Sequence, residues 1–220
     1  VTLDFERDGA AHLAGAAAPF LSALYALAGT LPPDRAGLRL HGASGLAALL
    51  ESDALGAAAA ARLGPTARPV RAILFDKSAA TNWALGWHQD RTIAVRERVE
   101  VTGYGPWSIK QGLLHVEPPF ALIETMVTLR IHLDAVPADN APLLIAPGSH
   151  RLGRVPEAAV VAAVGRCGTA TCLAEAGDIW MYSTPILHAS AASSVARHRR
   201  VLQVDYAMEA LPGGLEWLGI

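Results

Sequence analysis

Cysteine is almost absent: Cys167 and Cys172 are the only two in 220 residues. A disulfide framework and a zinc–cysteine site are excluded as organising principles, and both residues are expected as free, reduced thiols. Runs of Lys or Arg are lacking too, and 18 basic residues face 20 acidic ones, a formal net charge of -2. Nothing in that balance provides an electrostatic footprint for nucleic acid or an anionic membrane. No uncharged apolar stretch reaches the roughly 18 residues that a membrane span needs. Asp4, Glu6 and Asp8 break any basic-then-apolar secretion pattern near the start, so a cytoplasmic protein is expected. Internal repeats and low-complexity linkers are missing as well. One domain over 1–220 is expected, large enough to bury a core without staples.

What is present changes texture along the chain. Residues 1–65 read as a helical support region: an Ala/Leu-rich segment from Ala16 to Ala28 stopped by Gly29 and Pro32, then another from Ser44 to Leu63 stopped by Gly64-Pro65. Residues 70–206 read as strands: Val70 to Phe75, Trp87 to Val95, Met126 to Asp134, Ala141 to Ala146, Ile179 to His188 and Arg199 to Tyr206. Thr128, Arg130 and His132 alternate with Val127, Leu129, Ile131 and Leu133, and Arg199, Gln203 and Asp205 share a face opposite Leu202, Val204 and Tyr206. One polar and one strongly apolar face per strand suggests a sheet with helices on its outer face and a cavity on its inner one. The expected class is mainly β with flanking α, a double-stranded β-helix (jelly roll, cupin-like) with the N-terminal helices packed on the outer face of the major sheet. Residues 96–120, rich in Gly and Pro around Tyr104, Trp107 and His115, are too long for a plain connection and read as a lid or insert.

Three features carry chemistry. In a strand, His88 and Asp90 point to the same face and can grip one metal ion, two-thirds of the two-His-one-carboxylate triad of non-haem iron oxygenases. His-x-Asp alone is common, however. His188 ends an apolar run that follows the Gly177-Asp178 turn; it is either a core histidine or a third ligand. Arg199, eleven residues on, presents a fork that matches a carboxylate, and its alternation with Gln203 and Asp205 favours it over Arg197 or Arg200.

In this order and spacing His88-Gln89-Asp90, Ala146-Pro147-Gly148-Ser149-His150, His188-Ala189-Ser190 and Arg199 resemble the phytanoyl-CoA dioxygenase family, down to the opening Phe5-Glu6-Arg7-Asp8-Gly9. The resemblance implies an Fe(II)/2-oxoglutarate-dependent dioxygenase using O2, with His88, Asp90 and His188 on the metal. It implies that Arg199 clamps the distal carboxylate of 2-oxoglutarate, that Ser190 assists, and that Gln89 and Arg130 neighbour the co-substrate. Arg130 stands where the family can have tryptophan. Related halogenases lack the carboxylate ligand, so Asp90 favours oxygen insertion. His150 belongs to a structural turn.

The substrate is a small molecule, and its candidate contacts are His132, Trp107, His115, Asn82, Trp180 and Gln203, with Trp83 and Glu117 behind them. Two other classes compete: a cupin-like metal enzyme that does not use 2-oxoglutarate, and a non-catalytic binding module with the same fold. A carboxylate clamp argues against the first and an intact triad against the second.

Overall fold

The computed structural model describes residues 2–32, 35–51, 53–78, 81–194 and 197–220. Its strands are β1 (Ala10–Leu13), β2 (Gly37–Leu40), β3 (Arg68–Lys77), β4 (Leu85–His88), β5 (Ile93–Ala94), β6 (Trp107–Lys110), β7 (Leu113–Val116), β8 (Val127–His132), β9 (Leu143–Ile145), β10 (Ala170–Cys172), β11 (Ile179–Ser183), β12 (His188–Ser190) and β13 (Arg199–Ala207). A six-stranded sheet in the order β1-β11-β8-β13-β3-β2 faces a four-stranded sheet in the order β10-β9-β12-β4. Every described pairing is antiparallel. This is the expected jelly roll.

The alternation seen in the sequence decides which face goes where. Leu129, Ile131, Leu133, Leu202, Val204 and Tyr206 form the outer face of the larger sheet and pack with Leu24, Leu46, Leu50, Leu55 and Ala59 from the N-terminal region. Leu129 and Ile131 are fully buried there, each contributing roughly 1.5–3 kcal/mol of apolar burial. Between the sheets, Leu143, Ile145, Cys172, Trp180, Tyr182 and Ile186 fill one end as a second core. The polar side chains of β3, β8 and β13 are left at the other end, where the cavity lies.

Several expected boundaries move, each for a local reason. The helix expected from Ala16 begins only at Leu21, after a 3-10 turn over Ala18–Phe20 that accommodates Pro19. The run from Ser44 to Leu63 divides into helices Leu46–Leu49 and Ala57–Leu63. Between them the chain turns so tightly that a Cβ at Gly56 would sit 2.5 Å from the carbonyls of Leu50 and Glu51. The region 1–65 also supplies β1 and β2, which edge the larger sheet. Ile179 to His188 is two strands: Pro185, which has no N–H to donate, lies in the turn that carries the chain from β11 in one sheet to β12 in the other. The stretch 96–120 is no free lid. It contributes the β6–β7 hairpin, which pairs with β5 as a three-stranded sheet, and its Tyr104, Trp107, Leu114 and Val116 join a third core with Val70, Ile93, Val95 and Trp217. Cys167 and Cys172 are free, as expected. Among the described residues no helix is long and apolar enough to cross a membrane.

Candidate metal and co-substrate site

His88 ends β4 and His188 begins β12, and the two are direct partners in the antiparallel register. Facing positions of a strand pair put side chains on one side of the sheet within contact distance; the imidazole centroids are 4.2 Å apart. Each ring is oriented in the same way, through Nδ1 on the carbonyl two residues earlier: His88 on Gly86 at 2.8 Å and His188 on Ile186 at 3.0 Å. An Nδ1–H spent on a carbonyl fixes the tautomer whose Nε2 lone pair is free to ligate. Burial, with His88 beside it, pushes His188 down to about 4, so it is neutral at physiological pH, the form a metal needs.

Asp90 lies beyond the end of β4, not on the strand as expected, but lines the same cavity as both histidines. Its Oδ2 accepts from Gln203 Nε2 at 3.2 Å and faces Arg71 Nη2 at 3.3 Å. Oδ1 has no hydrogen bond to the described residues. Burial opposes its ionisation, but Arg71, then His188 and His88, hold the carboxyl well below the usual carboxylate range. Arg71 is held in turn by Asp205 at 2.5 Å and by the Thr92 carbonyl at 3.2 Å. Asp205 sits opposite Arg71 on one neighbouring strand and opposite Thr128 on the other, and Thr128 Oγ1 donates to it at 3.0 Å. No three His, Cys, Asp or Glu side chains among the described residues are gathered into a ready metal cage, because Asp90 leans on Arg71 and Gln203 rather than on the imidazoles. The donor set of two imidazoles and one carboxylate nevertheless fits iron(II).

Arg199 opens β13 opposite Lys77, the last residue of β3. It is only 2% exposed. Its Nη1 donates to the Ala141 carbonyl, and its Nε is buried with no partner. Among the described residues no carboxylate pairs with it. Ser190 Oγ donates to the same Ala141 carbonyl at 3.2 Å and accepts from Lys77 Nζ at 3.1 Å. Arg130 donates to Gln203 Oε1 at 3.0 Å and packs over the Phe75 ring at 5.4 Å. All of these side chains line one cavity of about 340 Å³, at the low end for small-molecule sites.

Of the residues singled out in the sequence, His88, Asp90, His188, Arg199, Ser190, Arg130, Gln203 and Trp83 meet at the cavity. The others do not. Gln89 points the opposite way, donating to the Gly153 and Pro185 carbonyls and accepting from Val155 N–H; on an extended segment the residue between two inward ones faces outward. Trp180 stacks on His12 at 4.7 Å in the second core. His132 and His115 are buried off the cavity, pushed down by burial to about 3 and about 4. Trp107 carries Arg98 over its ring at 5.3 Å, Glu117 pairs with Arg154 at 2.9 Å, and Asn82 ties down Ser193 through its backbone at 2.7 and 2.8 Å. Arg39, Arg71, Lys77 and Lys110 also line the cavity and were not foreseen. Only Arg71 and Lys77 had a visible signal, the alternation Arg71, Ile73, Phe75, Lys77 along β3.

The family model for phytanoyl-CoA dioxygenase matches residues 5–201. No curated protein matches the chain in sequence. Among solved structures, AviO1 from Streptomyces viridochromogenes Tue57 is 23% identical with a TM-score of 0.65, covering 97% of this chain and 99% of its own. EctD from S. alaskensis, solved in its apoform, is 16% identical with a TM-score of 0.67 over 98% of this chain and 78% of its own. HygX from Streptomyces hygroscopicus, solved with nickel and 2-oxoglutarate bound, is 14% identical with a TM-score of 0.61 over 92% and 84%. At these identities the likeness establishes the shared fold.

Proposed function

The chain belongs to the phytanoyl-CoA dioxygenase family, and from that premise we propose that it is an iron(II)- and 2-oxoglutarate-dependent dioxygenase that hydroxylates an unactivated C–H bond of a small molecule. His88, Asp90 and His188 are the metal ligands in this reading, and Arg199 with Ser190 receives the distal carboxylate of 2-oxoglutarate. When bound, iron and 2-oxoglutarate supply the oxidising chemistry: O2 converts 2-oxoglutarate to succinate and CO2, with one oxygen atom entering succinate and the other the C–H bond.

One observation carries the reading. Arg199 is a guanidinium buried in the cavity, and among the described residues no carboxylate pairs with it. Burial of an unpaired charge is costly, and a dicarboxylate ligand removes that cost while gaining charge-assisted hydrogen bonds. A metal enzyme indifferent to 2-oxoglutarate has no use for such a group. The remaining residues act by position. The Gly86 and Ile186 carbonyls keep both imidazoles in the ligating tautomer, Arg71 keeps Asp90 ionised, and Gln203 links Asp90 to Arg130. In this reading Asp90 favours hydroxylation over halogenation, because as a ligand it would leave no place for a halide.

The test is anaerobic addition of Fe(II) and 2-oxoglutarate, read by the weak visible charge-transfer band of chelated 2-oxoglutarate. The band is expected in the wild-type protein, and Asp90→Ala is expected to abolish substrate-dependent succinate formation while keeping the fold. A folded, iron-loaded wild type with no band refutes the assignment.

A further inference from the structure

Among the described residues six cationic side chains line the cavity, Arg39, Arg71, Lys77, Lys110, Arg130 and Arg199, against a single lining carboxylate, Asp90. Asp90 and the Asp205 behind it offset two of them. In the reading above, divalent iron and the 2-oxoglutarate dianion cancel each other. Several positive charges are left over in a partly desolvated space, where uncompensated charge is expensive.

The surplus is not spread evenly. Lys77, Arg130 and Arg199 interact with one another on the Ser190 side, where the distal carboxylate of 2-oxoglutarate is received. Arg39 and Lys110 form a separate group around Arg71 and Asp90. This second group is built by a specific device. The Gln111 amide at the tip of the β6–β7 hairpin accepts from the Arg39 N–H at 2.9 Å and donates to the Gly37 carbonyl at 2.6 Å. The clip joins the hairpin to the edge strand β2 and brings Lys110 and Arg39 to one wall. Lys110 Nζ is steadied by Thr92 Oγ1 at 2.8 Å, and Arg39 Nε is buried without a partner. Burial, and then Arg71, hold both below their ordinary values, and Asp90, which Arg71 already engages, offsets this only in part. Phe75, Trp83 and Leu85 supply an apolar stretch of the same cavity.

We infer that Arg39 and Lys110 form a subsite for an oxyanion on the substrate, so that the enzyme oxidises a small organic acid or phosphate ester whose hydrocarbon part lies against Phe75 and Trp83. This rests on the oxygenase reading of the cavity. Carboxylate and phosphate share the chemistry that two cations would recognise.

The experiment has two stages. The charge-transfer band of anaerobic Fe(II) and 2-oxoglutarate is measured first in wild type, Arg39→Gln and Lys110→Gln. All three are expected to show it, since the clamp lies elsewhere; its absence from wild type condemns the oxygenase reading and not the subsite. Fragments in matched pairs are then titrated by ligand-observed NMR into the same 2-oxoglutarate-saturated proteins: aliphatic and aromatic carboxylates against their amides, and phosphate monoesters against their alcohols. Anionic members are expected to bind wild type and neutral members not, with either substitution weakening the anions roughly tenfold or more. Preference between carboxylate and phosphate then names the head group. Neutral fragments binding as well as anionic ones, or variants that keep wild-type affinity for anions, overturn the subsite. Where one variant folds poorly, the other carries the test, and a wild type that does not prefer anions overturns the subsite without either.

Discussion

Replacing Arg199 with Met should move stability and ligand binding in opposite directions. Without ligand, Arg199 is a buried charge satisfied in part by the Ala141 carbonyl and, among the described residues, by no acid. An apolar side chain of similar length removes the desolvation cost of the guanidinium, against which stands the loss of one charge-assisted hydrogen bond, about 1.5–3 kcal/mol, on a carbonyl to which Ser190 Oγ still donates. Replacement of buried charge by well-packed apolar groups is worth about 1–4 kcal/mol, so the ligand-free variant should gain about 1 kcal/mol. For a chain of this length that is an increase of roughly 2–4 °C in Tm. Binding goes the other way. Truncating one partner of a buried charge pair costs about 2–5 kcal/mol, so the Kd for 2-oxoglutarate should rise some thirtyfold to several thousandfold. Two measurements on one preparation test this: thermal unfolding without ligand, and anaerobic titration of the Fe(II) protein with 2-oxoglutarate followed by the charge-transfer band. A ligand-free variant melting well below wild type would show that Arg199 is a structural strut, and unchanged affinity would remove it from the clamp.

Lys77 gives a pH signature for the same end of the cavity. Burial, then Arg199 and Arg130, push it down to about 7. A dicarboxylate arriving beside it favours the ammonium, so binding takes up a proton above pH 7. Affinity for 2-oxoglutarate should be level below that pH and fall, by at most tenfold per unit, from pH 7 to 9; Lys77→Met should flatten this dependence, and an unaltered slope would exclude Lys77 as its source. In the ligand-free protein the same depression makes Lys77 a destabilising charge below pH 7, relieved as the pH rises towards its ordinary 10.5. In the outer core, Tyr206 Oη donates to the Leu50 carbonyl at 3.0 Å. Tyr206→Phe should therefore cost about 1–3 kcal/mol in chemical denaturation and leave 2-oxoglutarate binding untouched; a matching loss of binding would mean that the helical layer controls the cavity.

The strands most legible in the sequence were β8 and β13, because each has one wholly apolar face to bury and one polar face to turn inward. Arg130, Gln203 and Arg199 line the cavity for that reason. On β3 the alternating inward residues are Arg71, Ile73, Phe75 and Lys77; two of the four are as apolar as the outward face, so the alternation marks the two cations only weakly. The pair His88 and His188 was recoverable only through the family pattern, since no local periodicity joins residues a hundred apart; their cross-strand register supplies the missing reason. Asp90 shows the limit of strand logic: its carboxylate reaches the cavity from beyond the strand end, drawn by Arg71. Arg39 and Lys110 left no trace in periodicity, because a single side-chain amide brings them together.

That amide has a second consequence. β2 is the outermost strand of the larger sheet, and an edge strand offers unpaired main-chain groups to any extended chain that meets it. Gln111 occupies one donor and one acceptor two residues apart on that rim, Arg39 N–H and Gly37 C=O, as the peptide group of a further strand would. The sheet is thus terminated by a side chain imitating a backbone, and the residue that assembles one wall of the cavity also guards the molecule against joining edge to edge with its own copies.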